Sequence, residues 1–72
     1  MPYRVNADLP PSVRDHLPER AQDIFREAFN AAYAAHEHDP RQEEAAFRIA
    51  WAAVKRVYEK DGDVWAPKAG RG

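Results

Sequence analysis

The sequence predicts an all-α domain: a short N-terminal helix, then an antiparallel pair of long amphipathic helices, with a short two-stranded terminal β-ribbon as a permitted addition. Three observations predict it. Apolar residues recur at spacings of three and four through two long stretches free of helix breakers. A short connection carrying Asp39-Pro40 separates those stretches, and a connection that short forces neighbouring helices to run antiparallel. Alanine is abundant where the two helices must face each other, which lets their backbones approach closely around a few large aromatic rings.

The first element is a short helix. Leu9, Val13 and Leu17 form an apolar row at i, i+4 and i+8, and Asp8 precedes Pro10 and Pro11. Prolines are tolerated there because the first-turn amides have no intrahelical acceptor anyway. Pro18 then ends this helix and begins the next.

From Pro18 to about Glu37 runs the first long helix, with Ala21, Ile24, Phe25, Ala28, Phe29, Ala32, Tyr33 and Ala35 as its apolar face. About twenty residues at 1.5 Å each give roughly 30 Å of helix. Arg20, Asp23, Arg26, Glu27 and Asn30 fall on its wet side. Glu19 and Asp23 near the start, and His36 and His38 near the end, agree in sign with the helix dipole.

Asp39-Pro40-Arg41-Gln42 is the sharpest local signal. It reads as N-cap, N1 and, at Gln42, the N3 partner of a capping box. The stripe of this last helix is Ala46, Phe47, Ala50, Trp51, Val54, Val57 and Tyr58, with Glu44 and Arg48 as an i, i+4 pair and Asp61-Gly62 as the stop. Tyr3-Arg4-Val5 and Val64-Trp65-Ala66 are the two candidate strands of the terminal ribbon. Residues 1–66 are thus read as one domain and 67–72 as a flexible tail.

Bulk properties narrow the function. A chain this short buries little more than about 60% of its unfolded surface, so the core is small and a deep substrate cleft is not expected. There is no cysteine, which removes disulfides, thiolate catalysis and Cys-based zinc sites and makes the cytoplasm the default location. Met1-Pro2-Tyr3-Arg4 leads into no apolar signal core, and the nearly uncharged stretch Ile49 to Val54 falls far short of the roughly 20 residues of a membrane span.

Taken together, Met1-Pro2-Tyr3 with Asp8-Leu9-Pro10, Leu17-Pro18 through Ala21-Gln22-Asp23-Ile24-Phe25 to Glu27-Ala28-Phe29-Asn30, and Ala50-Trp51-Ala52-Ala53-Val54-Lys55 resemble the bacterial ChaB family of cation transport regulators. The likeness runs from Met1 to Trp65 and includes Tyr58 and Asp61-Gly62-Asp63-Val64-Trp65. It implies a small cytoplasmic accessory protein that acts on a sodium or calcium/proton antiporter, with a compact helical fold, a small terminal sheet and no catalytic residues. ChaB-like domains also resemble segments beside Rho-type nucleic-acid-binding domains. The segment His36 to Gln42 is shorter here than the charged loop typical of the family, which leaves partner choice open.

The remaining constellations are weighed on their own chemistry. His36, Glu37, His38 and Asp39 carry metal-ligating groups, but residues two apart on a helix diverge and no third ligand is evident, so helix-end electrostatics is the better reading. Asp61-Gly62-Asp63 with Glu59 lacks the oxygen series of a calcium loop and reads as a turn. Ser12, the one serine, has no motif pairing it with a base. No enzyme and no cofactor are expected.

Arg41, Arg48 and Lys55 repeat every seven residues, with Arg56, Lys60, Lys68 and Arg71 beyond. This basic edge suits an acidic protein surface. It also permits a nucleic-acid accessory role as the alternative, although Glu43, Glu44 and Glu59 dilute its potential. Trp51 is assigned to the core and Trp65 to the base of the helical pair beside Tyr3 or to a docking position. The expected partner-binding residues are Arg48, Lys55, Arg56 and Trp65, on an exposed helix face that meets a protein partner.

Overall fold

The computed structural model describes residues 2–68. After an extended N-terminal segment, a 3-10 turn, Asn6–Asp8, leads into three helices: α1 (Pro11–Arg14), α2 (Glu19–Ala35) and α3 (Gln42–Val57). A hairpin of β1 (Tyr58–Asp61) and β2 (Val64–Pro67) follows directly. The molecule is mostly helical but not all-α.

Helix α1 is shorter than the apolar row suggested, yet Leu9, Val13 and Leu17 are all buried. Its carbonyls are completed from the next element: Gln22 Nε2 donates to the carbonyls of Arg14 at 3.1 Å and Leu17 at 2.8 Å. Those two bonds seat α1 on the first turn of α2, because they supply the acceptors' missing partners at a helix end.

The core lies between α2 and α3. Ala21, Phe25, Phe29 and Ala32 of α2 meet Ala46, Ala50 and Val54 of α3, and Leu9, Val13, Leu17 and Tyr58 close the cluster. Small alanines let the helices approach, and the rings fill what is left. The rings form a continuous row: Tyr3 to Phe29 at 4.8 Å, Phe29 to Phe47 at 5.0 Å, Phe47 to Phe25 at 5.9 Å, Phe25 to Trp51 at 5.2 Å and Trp51 to Trp65 at 5.7 Å. Trp51 therefore stands at the core's margin, half-buried and edge-on to Phe25, rather than inside it.

The wet side assigned to α2 needs correction. Asn30 binds both backbone groups of Tyr3, accepting from its amide at 2.8 Å and donating to its carbonyl at 2.7 Å. Asn6 donates to Asp23 at 2.7 Å and accepts from Arg26 Nε at 2.8 Å, with Arg26 also 3.6 Å from Asp23. These polar residues clasp the N-terminal segment, whose backbone would otherwise lack partners on the protein side. Val57 and Ala35, placed on apolar faces by periodicity, are exposed.

The start of α3 also differs. Asp39 Oδ1 accepts from the Arg41 amide at 2.8 Å and the Asp39 carbonyl accepts from the Gln42 amide at 3.0 Å, so Asp39 organises a turn before the helix instead of capping it. Gln42 does not reach back as a capping-box partner; its Nε2 donates to the Tyr33 carbonyl at 2.7 Å and ties the end of α2 to the start of α3. Among the described residues, Glu44 and Arg48 do not close to an ion pair, as expected of an exposed pair worth only about 0.5 kcal/mol in competition with water.

The larger correction concerns the ribbon. Tyr3-Arg4-Val5 does not pair with Val64-Trp65-Ala66. Strand β2 pairs antiparallel with β1 instead, in the register Tyr58↔Pro67, Glu59↔Ala66, Lys60↔Trp65 and Asp61↔Val64. Helix α3 accordingly stops at Val57, not at Asp61-Gly62, and Tyr58 turns into extended backbone with φ −118° and ψ 154°. Gly62 and Asp63 form a two-residue loop, and Gly62, at φ +68°, is the one positive-φ residue among the described residues. A glycine with positive φ at the first loop position followed by a residue with negative φ is the type II′ arrangement, whose twist matches paired strands. Joining strands through two residues rather than about sixty saves about 3 kcal/mol of loop-closure entropy, which explains the choice of partner.

Of the expected tail, Pro67 completes β2 and the Lys68 amide donates to the Val57 carbonyl at 2.9 Å. Residues 69–72 lie outside the described residues.

Candidate functional site

The hairpin register determines which side chains face inward. Residues directly opposite share a face, and faces alternate along a strand. Tyr58 is buried, so its face is the inner one, and Lys60 and its partner Trp65 lie on that same face. Glu59, Asp61 and Val64 lie on the other. The inner face brings Trp65 against Trp51, with ring centroids 5.7 Å apart and planes at 35°.

Trp51 and Lys55 are one turn apart on α3, and Ser12 and His16 are one turn apart at α1, so each pair projects toward the hairpin from its own element. Ser12, His16, Trp51, Lys55, Lys60 and Trp65 line an open groove of about 280 Å³. Two of these six side chains are lysines and none is a carboxylate. In a chain with 12 acidic and 11 Lys/Arg residues, that is a local reversal of the overall balance. Two indoles beside two lysines can hold a flat or bulky apolar group by contact and a neighbouring negative charge by attraction.

Of the four expected partner-binding residues, Lys55 and Trp65 line the groove, whereas Arg48 and Arg56 stand exposed outside it. Helical phase explains the split. Arg48 points within about 20° of Lys55 but lies about 10 Å back along the axis, and Arg56 is turned away by about 100°. Sequence reasoning did not bring Lys60, His16 and Ser12 to the site. The available signal was the Gly62-Asp63 dipeptide between Val57-Tyr58 and Val64-Trp65, which fits a two-residue hairpin loop.

Other candidates are placed apart from the groove. His36 Nδ1 lies 2.9 Å from the Ala32 carbonyl at the end of α2, and His38 is exposed 3.3 Å from Glu37. Among the described residues, no three His, Asp or Glu side chains converge as a metal site, and no helix is long and apolar enough to cross a membrane.

The family model for ChaB matches residues 9–68, which span α1, α2, α3, the hairpin and every residue lining the groove. The chain belongs to the ChaB family. ChaB relatives named "Putative cation transport regulator ChaB" from Escherichia coli K12, Escherichia coli O157:H7 and Shigella flexneri are each 46% identical over 76 residues, covering 96% of this chain and all of the relative. The NMR solution structure of a ChaB regulator of the same name superposes with a TM-score of 0.81 at 45% identity, covering 94% of this chain and all of the other. The ChaB fold is thus shared over nearly the whole chain.

Proposed function

We propose that this chain is a non-enzymatic regulatory module of the cytoplasm that modulates a sodium or calcium/proton antiporter by binding protein. Membership of a family whose relatives are named as cation transport regulators supports the regulatory part of this reading. The observation that carries the binding part is the groove that Lys55 and Lys60 line together with the half-buried Trp51 and Trp65. Tryptophan is the side chain most enriched among residues that dominate protein interfaces, and basic residues around it steer an acidic partner. Lys55 and Trp65 make the central contact, and Arg48 and Arg56 add charge from the flanking helix surface.

The test is antiport in everted membrane vesicles with purified protein added. The wild type is expected to change the rate of sodium- or calcium-driven proton movement, and the Lys55→Glu, Arg56→Glu variant to lose that effect while keeping its helical circular dichroism. Transport unaltered by the wild type, with solubilised antiporter not retained on the immobilised protein, sinks the reading. Tight DNA binding that weakens steeply with salt in gel shifts would replace it with the nucleic-acid role.

A further inference from the structure

We infer that the groove between α1, α3 and the hairpin takes a short acidic peptide segment of a protein partner, with one aromatic side chain of that segment seated against Trp51 and Trp65. The inference rests on the reading of the chain as a protein-binding module and names the chemistry of what it binds.

The shape of the groove bears on the kind of occupant. Sites for whole small molecules run from about 300 to 1,000 Å³ and enclose most of the ligand. This groove, at about 280 Å³, lies at the lower end of that range and is open rather than enclosing, lying across the junction of three elements. It accommodates one large side chain and leaves the chain that bears it outside, along the rim.

Charge sets what flanks that side chain. Lys55 comes from the last turn of α3 and Lys60 from β1, so the two lysines reach the groove from different elements, with His16 from the α1 side. No carboxylate lines the groove to neutralise them. The nearby acids are directed elsewhere: Asp15 lies 3.8 Å from Arg14, and Glu59 and Asp61 occupy the outer hairpin face by register. A segment with carboxylates next to its aromatic residue matches the lysines next to the tryptophans.

Geometry sets the middle. Trp65 and Trp51 are tilted at 35° rather than stacked flat, and both are half-buried, so part of each ring remains exposed. A third ring meeting them edge to face completes an aromatic cluster at the usual centroid spacing of about 4.5 to 7 Å. The apolar part is thereby removed from water while the carboxylates stay at the wet rim, where pairing with lysine costs little desolvation.

The probe is a synthetic peptide of glutamates around a single phenylalanine, titrated into the ¹⁵N-labelled full chain while the indole N–H signals of Trp51 and Trp65 are followed. Both signals are expected to shift saturably. Replacing the phenylalanine with alanine, or the glutamates with glutamines, should weaken binding about tenfold, as should Lys60→Glu in the protein. Lys60 is exposed, so that variant keeps the fold, and an unchanged backbone spectrum verifies it. Added salt should weaken the wild-type interaction.

The idea is overturned if the indoles do not respond to the acidic peptide, if the glutamine peptide binds equally well, or if inorganic phosphate alone produces the same shifts, which would make this a simple anion site. An antiport effect lost in the Lys55→Glu, Arg56→Glu variant alongside a silent peptide titration would retain the regulatory role and reject the peptide chemistry. Peptide binding without any antiport effect would do the reverse.

Discussion

The side-chain amide of Asn30 pairs with both backbone groups of Tyr3, twenty-seven residues away in sequence, at 2.8 and 2.7 Å. One polar side chain of α2 thus fastens the start of the N-terminal segment, with Asp23 and Arg26 holding Asn6 further along, and keeps the Tyr3 ring on Phe29. Asn30→Ala removes both bonds and is expected to cost about 1 to 2 kcal/mol. In a domain of this size that lowers Tm by about 4 to 8 °C for each kcal/mol. Thermal melts measure the loss, and faster hydrogen exchange at the Tyr3 amide should accompany it; an unchanged exchange rate would show that the clasp is not held by Asn30.

The hairpin loop gives a second expectation. Gly62 has φ +68°, and an added Cβ would meet nothing within 4 Å, so the cost of a side chain there is purely one of backbone conformation. Gly62→Ala should destabilise by about 1 to 2 kcal/mol. A synthetic chain with D-alanine at 62, which favours positive φ, should be at least as stable as the parent. Urea denaturation of the three chains checks the order, and equal stability of the L and D forms would contradict the loop geometry.

Packing between α2 and α3 gives a third. Ala46 and Ala50 are fully buried one turn apart in the same cluster as Phe25 and Phe29. Ala50→Leu must separate the helices or force rings from their rotamers, at about 1 to 3 kcal/mol. Ala52→Leu, on an exposed position of the same helix, should cost almost nothing. Urea midpoints of the two variants separate crowding from helix propensity, since the substitution is identical.

Tyr3 links stability to alkaline pH. Burial, and secondarily the Glu43 carboxylate, push its phenol above the ordinary tyrosine range. A group whose folded-state pKa is raised contributes fully below its unfolded value, and the contribution is lost as pH rises through the folded value. Stability should therefore fall from about pH 10 upward, and Tyr3→Phe should flatten that part of the profile. Melts between neutral and strongly alkaline pH test this, and parallel profiles for the two proteins would rule it out.

The helices were legible because their signal is repeated. Leu9, Val13 and Leu17, and then Ala21, Phe25, Phe29 and Ala32, hold one phase over several turns, so single exceptions do not blur it. The hairpin was not, because each strand has four residues and only Tyr58 is fully buried in β1, leaving no alternation to read. Asp61-Gly62 serves equally as a helix stop and as the entry to a turn, and the burial of Tyr58 decides between them. The groove inherited that ambiguity. Lys55 and Trp65 could be named from sequence, but Lys60 joins them only once β1 is a strand whose alternation turns it toward Trp65.

The row of rings from Tyr3 to Trp65 has an optical consequence. Light absorbed by Tyr3 can be transferred directly through space to the indoles, which absorb at lower energy, and emerge as fluorescence from the groove end. The two indoles are close enough to couple their electronic transitions, so their circular dichroism depends on the angle between them. The chain thereby carries its own reporter: unfastening the N-terminus dims the transfer, and anything settling between Trp51 and Trp65 alters the emission without an attached dye.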